Sequence, residues 1–299
     1  MAKKNKIKDS WDDKIMYLIV GILLTVILIA VLYPMVYVVS CSVSDGIAVG
    51  SGKVVLWPVG FTLDGYRLVF QQKNVWIGFK NSAIYVICGT TFSMFLTILC
   101  AYPLSRPNYQ FRGFLVMLYT ITMLFGAGLI PKYLLLSKLG MIDTRWALIL
   151  PGALGTYNMI LVRTYFRHSV PNELIEAAAI DGCSDLRTLW KIVLPLAKSV
   201  ISVVSLYYAV GNWNMYMAAI IYTRKPALAP LQVVLRQLLD AANVDLSEIT
   251  DTKLIAAAIN ATSQIKYAMI VVTSVPVIAM YPLVQKYFQK GIMIGSVKG

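Results

Sequence analysis

The chain has 299 residues, of which 58% are apolar and only 14% are charged, and its formal net charge is +13. A soluble domain would carry about 25% charged residues, so the composition indicates an integral membrane protein. Positive residues in such a protein hold membrane helices against anionic lipid, and no stretch between the apolar segments is long enough for a nucleic-acid-binding domain.

Six apolar segments are long enough to cross about 30 Å of hydrocarbon as helices. They are Ile15–Cys41, Ala83–Ser105, Gly113–Ile130, Trp146–Val162, Ser199–Tyr222 and Tyr267–Gln285. The first is too long for the core of a signal peptide and is followed by no small-residue cleavage site, so it is predicted to be retained. The sequence therefore predicts an all-α membrane protein with six transmembrane helices.

The distribution of Lys and Arg predicts the orientation of these helices. The N-terminal run KKNKIK, just before the first segment, favours a cytoplasmic N-terminus. Six crossings return the C-terminus to the same side, and they place the Arg106–Arg112 turn and the Ser169–Lys198 loop in the cytoplasm. The longest outer loop is Thr223–Lys266, in which Leu231–Ala242 has the pattern of an amphipathic helix. The expected layout is a cytoplasmic segment (1–14), a membrane domain (15–288) and a cytoplasmic tail (289–299).

Residues able to bind a metal ion or ATP are scarce in the sequence. The cysteines form no C-x-x-C pair, and His168 is the single histidine, so no metal site is predicted. The phosphate-binding pattern G-x-x-x-x-G-K-[ST] is absent. None of the six segments contains Asp, Glu, Lys, Arg or His, which argues against proton coupling and voltage sensing. Energy for transport would then enter from another protein, although sodium coupling through carbonyls and hydroxyls stays open.

The loop Ser169–Lys198, between the fourth and fifth segments, begins with the pattern of a short helix. Pro171 suits the start of a helix, because its missing N–H would have no partner there. The helix is expected to end at Asp181 and Gly182, since glycine adopts the left-handed conformation that closes a helix. Its predicted apolar face consists of Leu174, Ala177 and Ala178.

A second short helix is predicted in the remainder of this loop. Ser184 is expected to cap its N-terminus, and Pro195 to end it just before the fifth apolar segment. Its apolar residues recur at helical spacing as Leu186, Leu189, Trp190 and Val193. Two short helices meeting at a sharp angle on the membrane surface would form a knob that another protein can grip.

Polar residues interrupt the fifth apolar segment at GNWNMYM, Gly211–Met217. Amides within lipid need partners, so these side chains are expected to face other helices or a water-filled cavity. Asn212 and Tyr216 are four residues apart and are predicted to share a helix face, which Tyr208 extends. Rings beside amides suit the faces and hydroxyls of sugars, whereas interhelical packing explains the pattern equally well. The candidate pathway residues are Tyr208, Asn212, Trp213, Asn214 and Tyr216.

Several of these patterns together resemble one family of proteins. The spacing from Glu176-Ala177-Ala178 through Gly182 to Ile192-x-Leu194-Pro195 is similar to the EAA loop of importer-type ABC permeases. Nearly the whole chain resembles carbohydrate-uptake permeases of the maltose-permease-like group. Further similar segments are GMIDTRWALILP (Gly140–Pro151), WNMY (Trp213–Tyr216) and QKYFQKGIMIGSVKG (Gln285–Gly299). The last is most like the subgroup that imports complex oligosaccharides and polysaccharide fragments.

The resemblance implies a type I ABC importer permease fold with cytoplasmic coupling helices, in a bacterial cell membrane. It implies a non-catalytic subunit for oligosaccharides, including acidic polysaccharide fragments, which binds no cofactor because ATP and Mg are held by the ATPase. The implied partners are a homologous second permease, two cytoplasmic ABC ATPase subunits, an extracytoplasmic solute-binding protein and membrane lipid. The residues implied to couple to the ATPase are Glu173, Glu176, Ala177, Ala178, Asp181, Gly182, Leu186, Leu189, Trp190 and Pro195.

Two alternatives stay open at this point. Permeases for amino acids or phosphate also carry EAA-like loops, and the C-terminal signature is the feature that favours carbohydrate. An ion-coupled secondary transporter would not need the EAA spacing at all. The resemblance further implies that the C-terminal tail reaches the interface between the ATPase subunits.

Overall fold

The computed structural model describes residues 10–242 and 252–295, and within these ranges all regular secondary structure is helical, which confirms the all-α class. The helices are α1 (Trp11–Ser42), α2 (Gly46–Gly50), α3 (Asp64–Gln71), α4 (Lys73–Ser105), α5 (Arg112–Leu124), α6 (Leu129–Lys138), α7 (Trp146–Ile149), α8 (Thr156–Ser169), α9 (Asn172–Ile180), α10 (Asp185–Thr188), α11 (Leu194–Leu196), α12 (Lys198–Trp213), α13 (Met217–Tyr222), α14 (Leu231–Ala242) and α15 (Thr252–Gly295). The predicted terminal segments 1–14 and 289–299 lie partly outside the described residues.

The chain forms two compact units, one from residues up to 71 with 239–272 and the other from 72–238 with residues after 272. In the first unit, α1 begins after Ser10, whose backbone N–H donates to the Asp13 carboxylate at 3.1 Å. No side chain in the most apolar stretch of α1 is buried within the chain. Its C-terminal end packs on a small cluster formed by Cys41, Ala48, Val49 and Val54, with Tyr37 and Tyr267 beside it.

In the second unit, the 33-residue helix α4 packs along both α8 and α12. The buried core between these helices is apolar and continues into the loop that follows α8. Its members are Met94, Ala101, Tyr102, Leu104, Met159, Val162, Phe166, Val170, Leu189, Val193, Ala197, Val200, Val204 and Tyr208. The core therefore ties the predicted knob directly to the long helix α4.

Three described helical stretches are long and apolar enough to cross a membrane: Trp11–Ser42, Lys73–Ser105 and Thr262–Pro282. They confirm the first, second and sixth predicted segments as helices. Two bent pairs raise the number to as many as five: α5 with α6, at 111°, and Asp185–Leu196 with α12, at 86°. Among the described residues, the fourth predicted segment is neither one of the three long helices nor part of a bent pair.

Three predicted segments do not form one helix each. The fourth, Trp146–Val162, is divided between α7 and α8 because Pro151 has no N–H for a helical hydrogen bond and is followed by Gly152. The third, Gly113–Ile130, is divided where Gly126 and Gly128 separate α5 from α6. The fifth is divided between α12 and α13. The amphipathic helix predicted at Leu231–Ala242 is confirmed as α14.

Candidate functional site

The predicted knob, residues 169–198, begins with a short helix that ends in a tight turn. Pro171 lies one residue before α9, with φ −57° and ψ 137°, so it caps the helix and does not occupy its first position. Gly182 has φ +72°. Its N–H donates to the Ala179 carbonyl at 3.0 Å, and the N–H of Cys183 donates to the Ala178 carbonyl at 2.9 Å. The glycine thus closes the helix in the predicted left-handed conformation.

The second half of the knob differs from a simple capped helix. Ser184 occupies the N-cap position of α10 as predicted, but its side chain makes no capping hydrogen bond. A π-helical turn, Leu189–Val193, separates α10 from α11. It ends two residues before Pro195, which cannot donate to the preceding turn. The chain then bends by 86° after α11 and enters α12. The bend follows Pro195 by two residues because α11 continues to Leu196.

The knob has a buried side and an exposed apolar side. Ala178 and Leu189 are buried, and Leu189 belongs to the core shared with α4. Ile180, Leu186 and Trp190 are 87%, 62% and 61% exposed. We call these three residues the knob surface. Of the predicted anchors of the second helix, Leu189 alone is buried, whereas Leu186 and Trp190 are exposed. Several large apolar side chains exposed on one loop outside the apolar segments are typical of a protein contact.

The remaining predicted coupling residues are all exposed on the knob: Glu173, Glu176, Ala177, Asp181, Gly182 and Pro195. Sequence reasoning did not single out Ile180, the most exposed apolar residue there. Its position four residues after Glu176, and directly before the Asp-Gly helix end, was the available signal. The knob therefore presents carboxylates and an apolar side chain next to a rigid turn.

A cavity of about 520 Å³ lies between the knob and the C-terminal end of α4. Its walls include Arg106, Glu176 and Asp185. The Arg106 guanidinium lies 5.1 Å from the centre of the Tyr102 ring and donates to the Ser105 hydroxyl at 3.0 Å. Burial lowers the pKa of Arg106 below its ordinary value. The cavity therefore has polar groups on both sides, from the C-terminal end of α4 and from the knob.

Two predicted pathway residues lie in the protein core. The Tyr208 hydroxyl shares a hydrogen bond with the Thr97 hydroxyl at 2.8 Å and accepts the Gly155 N–H at 3.0 Å. Tyr208 therefore connects α12 with α4 and with the start of α8. The Trp213 indole N–H donates to the Thr273 carbonyl at 3.0 Å, and Trp213 is buried.

Asn212 lies where α12 approaches α4 most closely. Its Nδ2 is 3.4 Å from the Thr90 hydroxyl, at the limit of a hydrogen bond. A Cβ placed on Gly89 would come within 2.8 Å of the same nitrogen, so a larger residue there would displace the Asn212 amide. Asn212 is half-buried and faces another helix, which is the packing arrangement that the sequence left open.

The helix breaks where the polar residues of this segment continue. α12 ends at Trp213 and α13 begins at Met217, so Asn212 and Tyr216 do not share a helix face as predicted. The Asn214 N–H donates to the Val210 carbonyl at 3.0 Å, and the Asn214 carbonyl accepts the Tyr216 N–H at 2.8 Å. Asn214 is exposed and Tyr216 is half-buried. Irregular backbone within an apolar segment is tolerated where it is covered by protein or lines a water-filled cavity.

Another polar arrangement, missed by sequence reasoning, fixes the segment before α14. Asn81 Nδ2 donates to the Ala227 and Ala229 carbonyls at 2.8 and 3.1 Å, and its Oδ1 accepts from Arg145 at 3.2 Å. The Tyr85 hydroxyl donates to the intervening Leu228 carbonyl at 2.7 Å. The sequence signal that could have revealed this arrangement was the presence of polar residues at the start of an apolar helix. Within the described residues, no group of three or more His, Cys, Asp or Glu side chains could hold a metal ion.

The chain is similar to known protein families and solved structures. The family model described as "Binding-protein-dependent transport system inner membrane component" matches residues 89–294, which include the knob and the broken fifth segment. The match covers more than half of the chain.

Two Bacillus subtilis proteins are similar over most of their length. The polygalacturonan/rhamnogalacturonan transport system permease protein YtcP is 42% identical over 94% of this chain and 97% of its own. Protein LplC is 39% identical over 89% of each chain.

A solved structure has the same arrangement of helices. It is a chain from the crystal structure of a bacterial ABC transporter involved in the import of the acidic polysaccharide alginate. The TM-score is 0.83 at 33% sequence identity, over 95% of this chain and 100% of that one.

Proposed function

The chain belongs to the family of binding-protein-dependent transport system inner membrane components, and from this premise we propose that it is the permease subunit of an ATP-driven importer of acidic oligosaccharides. Its fold is that of type I importer permeases, and it is a multi-pass membrane protein. The knob is the observation that supports energy coupling, because it offers a rigid turn and exposed apolar side chains outside the apolar helices.

In this proposal the ATPase grips the knob. The knob surface of Ile180, Leu186 and Trp190 would be covered by the ATPase, with Glu173, Glu176 and Asp181 around it. Leu189 carries the resulting force into the core on α4. ATP and Mg belong to two cytoplasmic ATPase subunits, so this chain itself catalyses nothing. The N- and C-termini would then lie in the cytoplasm, and the tail 289–299 would reach the ATPase interface.

A second, homologous permease subunit is supported by helix α1. The helix is long and apolar enough to cross the membrane. The side chains of its most apolar stretch are not buried by the chain itself. A partner helix bundle would cover part of this surface. A solute-binding protein would meet the outer loop Thr223–Lys266, whose described start is held by Asn81 and Tyr85.

The acidic substrate class is supported by the named substrates of two relatives. Polygalacturonan and alginate are chains of sugar acids that carry carboxylates, and a net charge of +13 attracts anions. Because none of the predicted spans contains Lys or Arg, selection for charge would fall to the binding protein. Asn214 and Tyr216, at the helix break, are the pathway residues best placed to contact the sugar.

The test is transport by the full complex reconstituted in vesicles with its binding protein. Galacturonate oligosaccharides should enter only with ATP and the binding protein, and neutral maltooligosaccharides should enter far more slowly. ATP-dependent uptake of an amino acid or phosphate in place of sugar would favour the other importer class. Uptake driven by an ion gradient without ATP would contradict the proposal and indicate a secondary transporter.

A further inference from the structure

Three arginines from two helices converge beside the C-terminal end of α4. Arg163 Nε donates to the Leu104 carbonyl at 2.9 Å, and Arg112 donates to the Arg106 carbonyl at 3.3 Å. Arg167 lies one helical turn after Arg163 on α8 and is exposed. We call Arg112, Arg163 and Arg167 the arginine cluster. The carbonyl bonds explain why two of the side chains point toward the end of α4, where the helix dipole is negative.

The cluster has no acidic partner in the described part of the chain. The ion pair between Arg67 and Asp64 lies in another region. Burial, and then the charges of Arg167 and Arg112, lower the pKa of Arg163. Like charges held this close repel one another, and each guanidinium has more donors than the carbonyls use. The cluster therefore keeps unused donors and net positive charge that suit the binding of an anion.

Exposed aromatic residues lie next to the cluster. Phe111 and Phe114 flank Arg112 at the start of α5 and are both largely exposed. No residue of α5 is buried within the chain. A charged group beside exposed apolar rings is the combination found where a membrane helix meets lipid headgroups. A free phosphate ion would use the arginines alone and leave the rings without a role.

We propose that the arginine cluster binds the phosphate of an anionic phospholipid, whose acyl chains lie against Phe111 and Phe114. The headgroup would neutralise the cluster and link α5 with α8 at the base of the knob. The site is independent of the sugar that the importer carries, so it can be tested whether or not the substrate assignment holds.

The test uses the assembled importer in lipid nanodiscs. Native mass spectrometry would count phosphatidylglycerol molecules retained by the wild type, by Arg112→Gln/Arg167→Gln and by Arg163→Lys. The double variant should retain phosphatidylglycerol with about thirtyfold lower affinity, since each of the two basic residues near the headgroups contributes about 1 kcal/mol. Arg163→Lys keeps the charge and should stay closer to the wild type. If the double variant fails to assemble, Arg167→Gln alone takes its place, because this change removes no hydrogen bond within the chain. It should also lower the affinity for phosphatidylglycerol.

The matched control is Lys132→Gln/Lys138→Gln, which removes two exposed charges from α6. It should retain phosphatidylglycerol as the wild type does. The proposal would be overturned if the arginine variants retained as much phosphatidylglycerol as the wild type, or if the lysine control lost as much as they do. Binding of zwitterionic phosphatidylcholine as tight as that of phosphatidylglycerol would also overturn it. Complete displacement of the lipid by inorganic phosphate would assign the cluster to free phosphate and overturn the lipid assignment.

Discussion

The knob and the broken fifth segment were both predicted to be functional, but the structure uses their residues differently. On the knob, most predicted residues are exposed. Ala178 and Leu189 are buried, and Leu189 belongs to the core shared with α4. In the fifth segment, Tyr208 and Trp213 are buried with their polar atoms bonded to other helices. Asn214 is the exposed member there. A local motif thus predicts a surface well, whereas polar residues in a membrane helix serve packing as readily as transport.

The largest effect is expected at the knob turn, from Gly182→Val. A branched side chain at φ +72° costs about 1–2 kcal/mol and shifts α9 relative to α10. Uptake should fall to background while the permease remains in the membrane, measured by radiolabelled sugar uptake and by immunoblot. Gly113→Ala is the control, because its Cβ would meet nothing within 4 Å. Normal uptake by the valine variant would remove the turn from the coupling site.

The next effect separates the exposed side of the knob from its buried side. Ile180→Glu should leave stability within about 0.5 kcal/mol but weaken ATPase binding about tenfold or more, as a buried apolar contact is lost. Leu189→Ala should instead destabilise the permease by about 2–5 kcal/mol. Co-purification of the ATPase and thermal unfolding of the permease measure the two outcomes. ATPase binding that is insensitive to Ile180→Glu would show that the knob surface is not the contact.

A moderate effect should distinguish transport from packing in the fifth segment. Asn214→Ala should lower sugar uptake severalfold with stability changed by less than about 0.5 kcal/mol. Tyr208→Phe should lower stability by about 1–3 kcal/mol, since it leaves the Gly155 N–H without its acceptor. Uptake per folded complex should then be close to wild type. The reverse pattern would place the sugar at Tyr208 and make Asn214 structural.

The smallest effect is expected from deleting residues 292–299. If the tail contacts the ATPase interface, sugar-stimulated ATP hydrolysis should drop more than complex assembly does. Hydrolysis assays and size-exclusion chromatography on the same preparation measure both. A truncated complex that assembles and is fully stimulated by substrate would contradict the tail contact, and a complex that is merely less stable would indicate a membrane anchor.

The features predictable from sequence were those fixed within one or two helical turns. Gly182 in its turn and the helix Leu231–Ala242 follow from local spacing, and the structure confirms them. The all-α class follows from composition. The exposure of Ile180 was missed because periodicity identifies apolar residues without saying which side a partner chain covers.

The features that were not predictable depend on distant parts of the chain. The fourth segment was predicted as one span although Pro151 and Gly152 divide it, because total apolar length outweighed the breakers in that prediction. Asn81 was not recognised, since its partners are carbonyls some 150 positions further along the chain. The roles of Tyr208 and Asn212 likewise depend on α4, which no local pattern reveals.

The uncovered state of α1 has a consequence for the life of the protein in the cell. The most apolar stretch of this helix has no side chain buried within the chain, so it gains its contacts from lipid or from other proteins in the membrane. If the proposed second permease subunit covers this stretch, the stability of the chain is linked by mass action to the concentration of that partner. Copies made in excess of that partner would be the first to be degraded, so the slower-made subunit would set the number of importers.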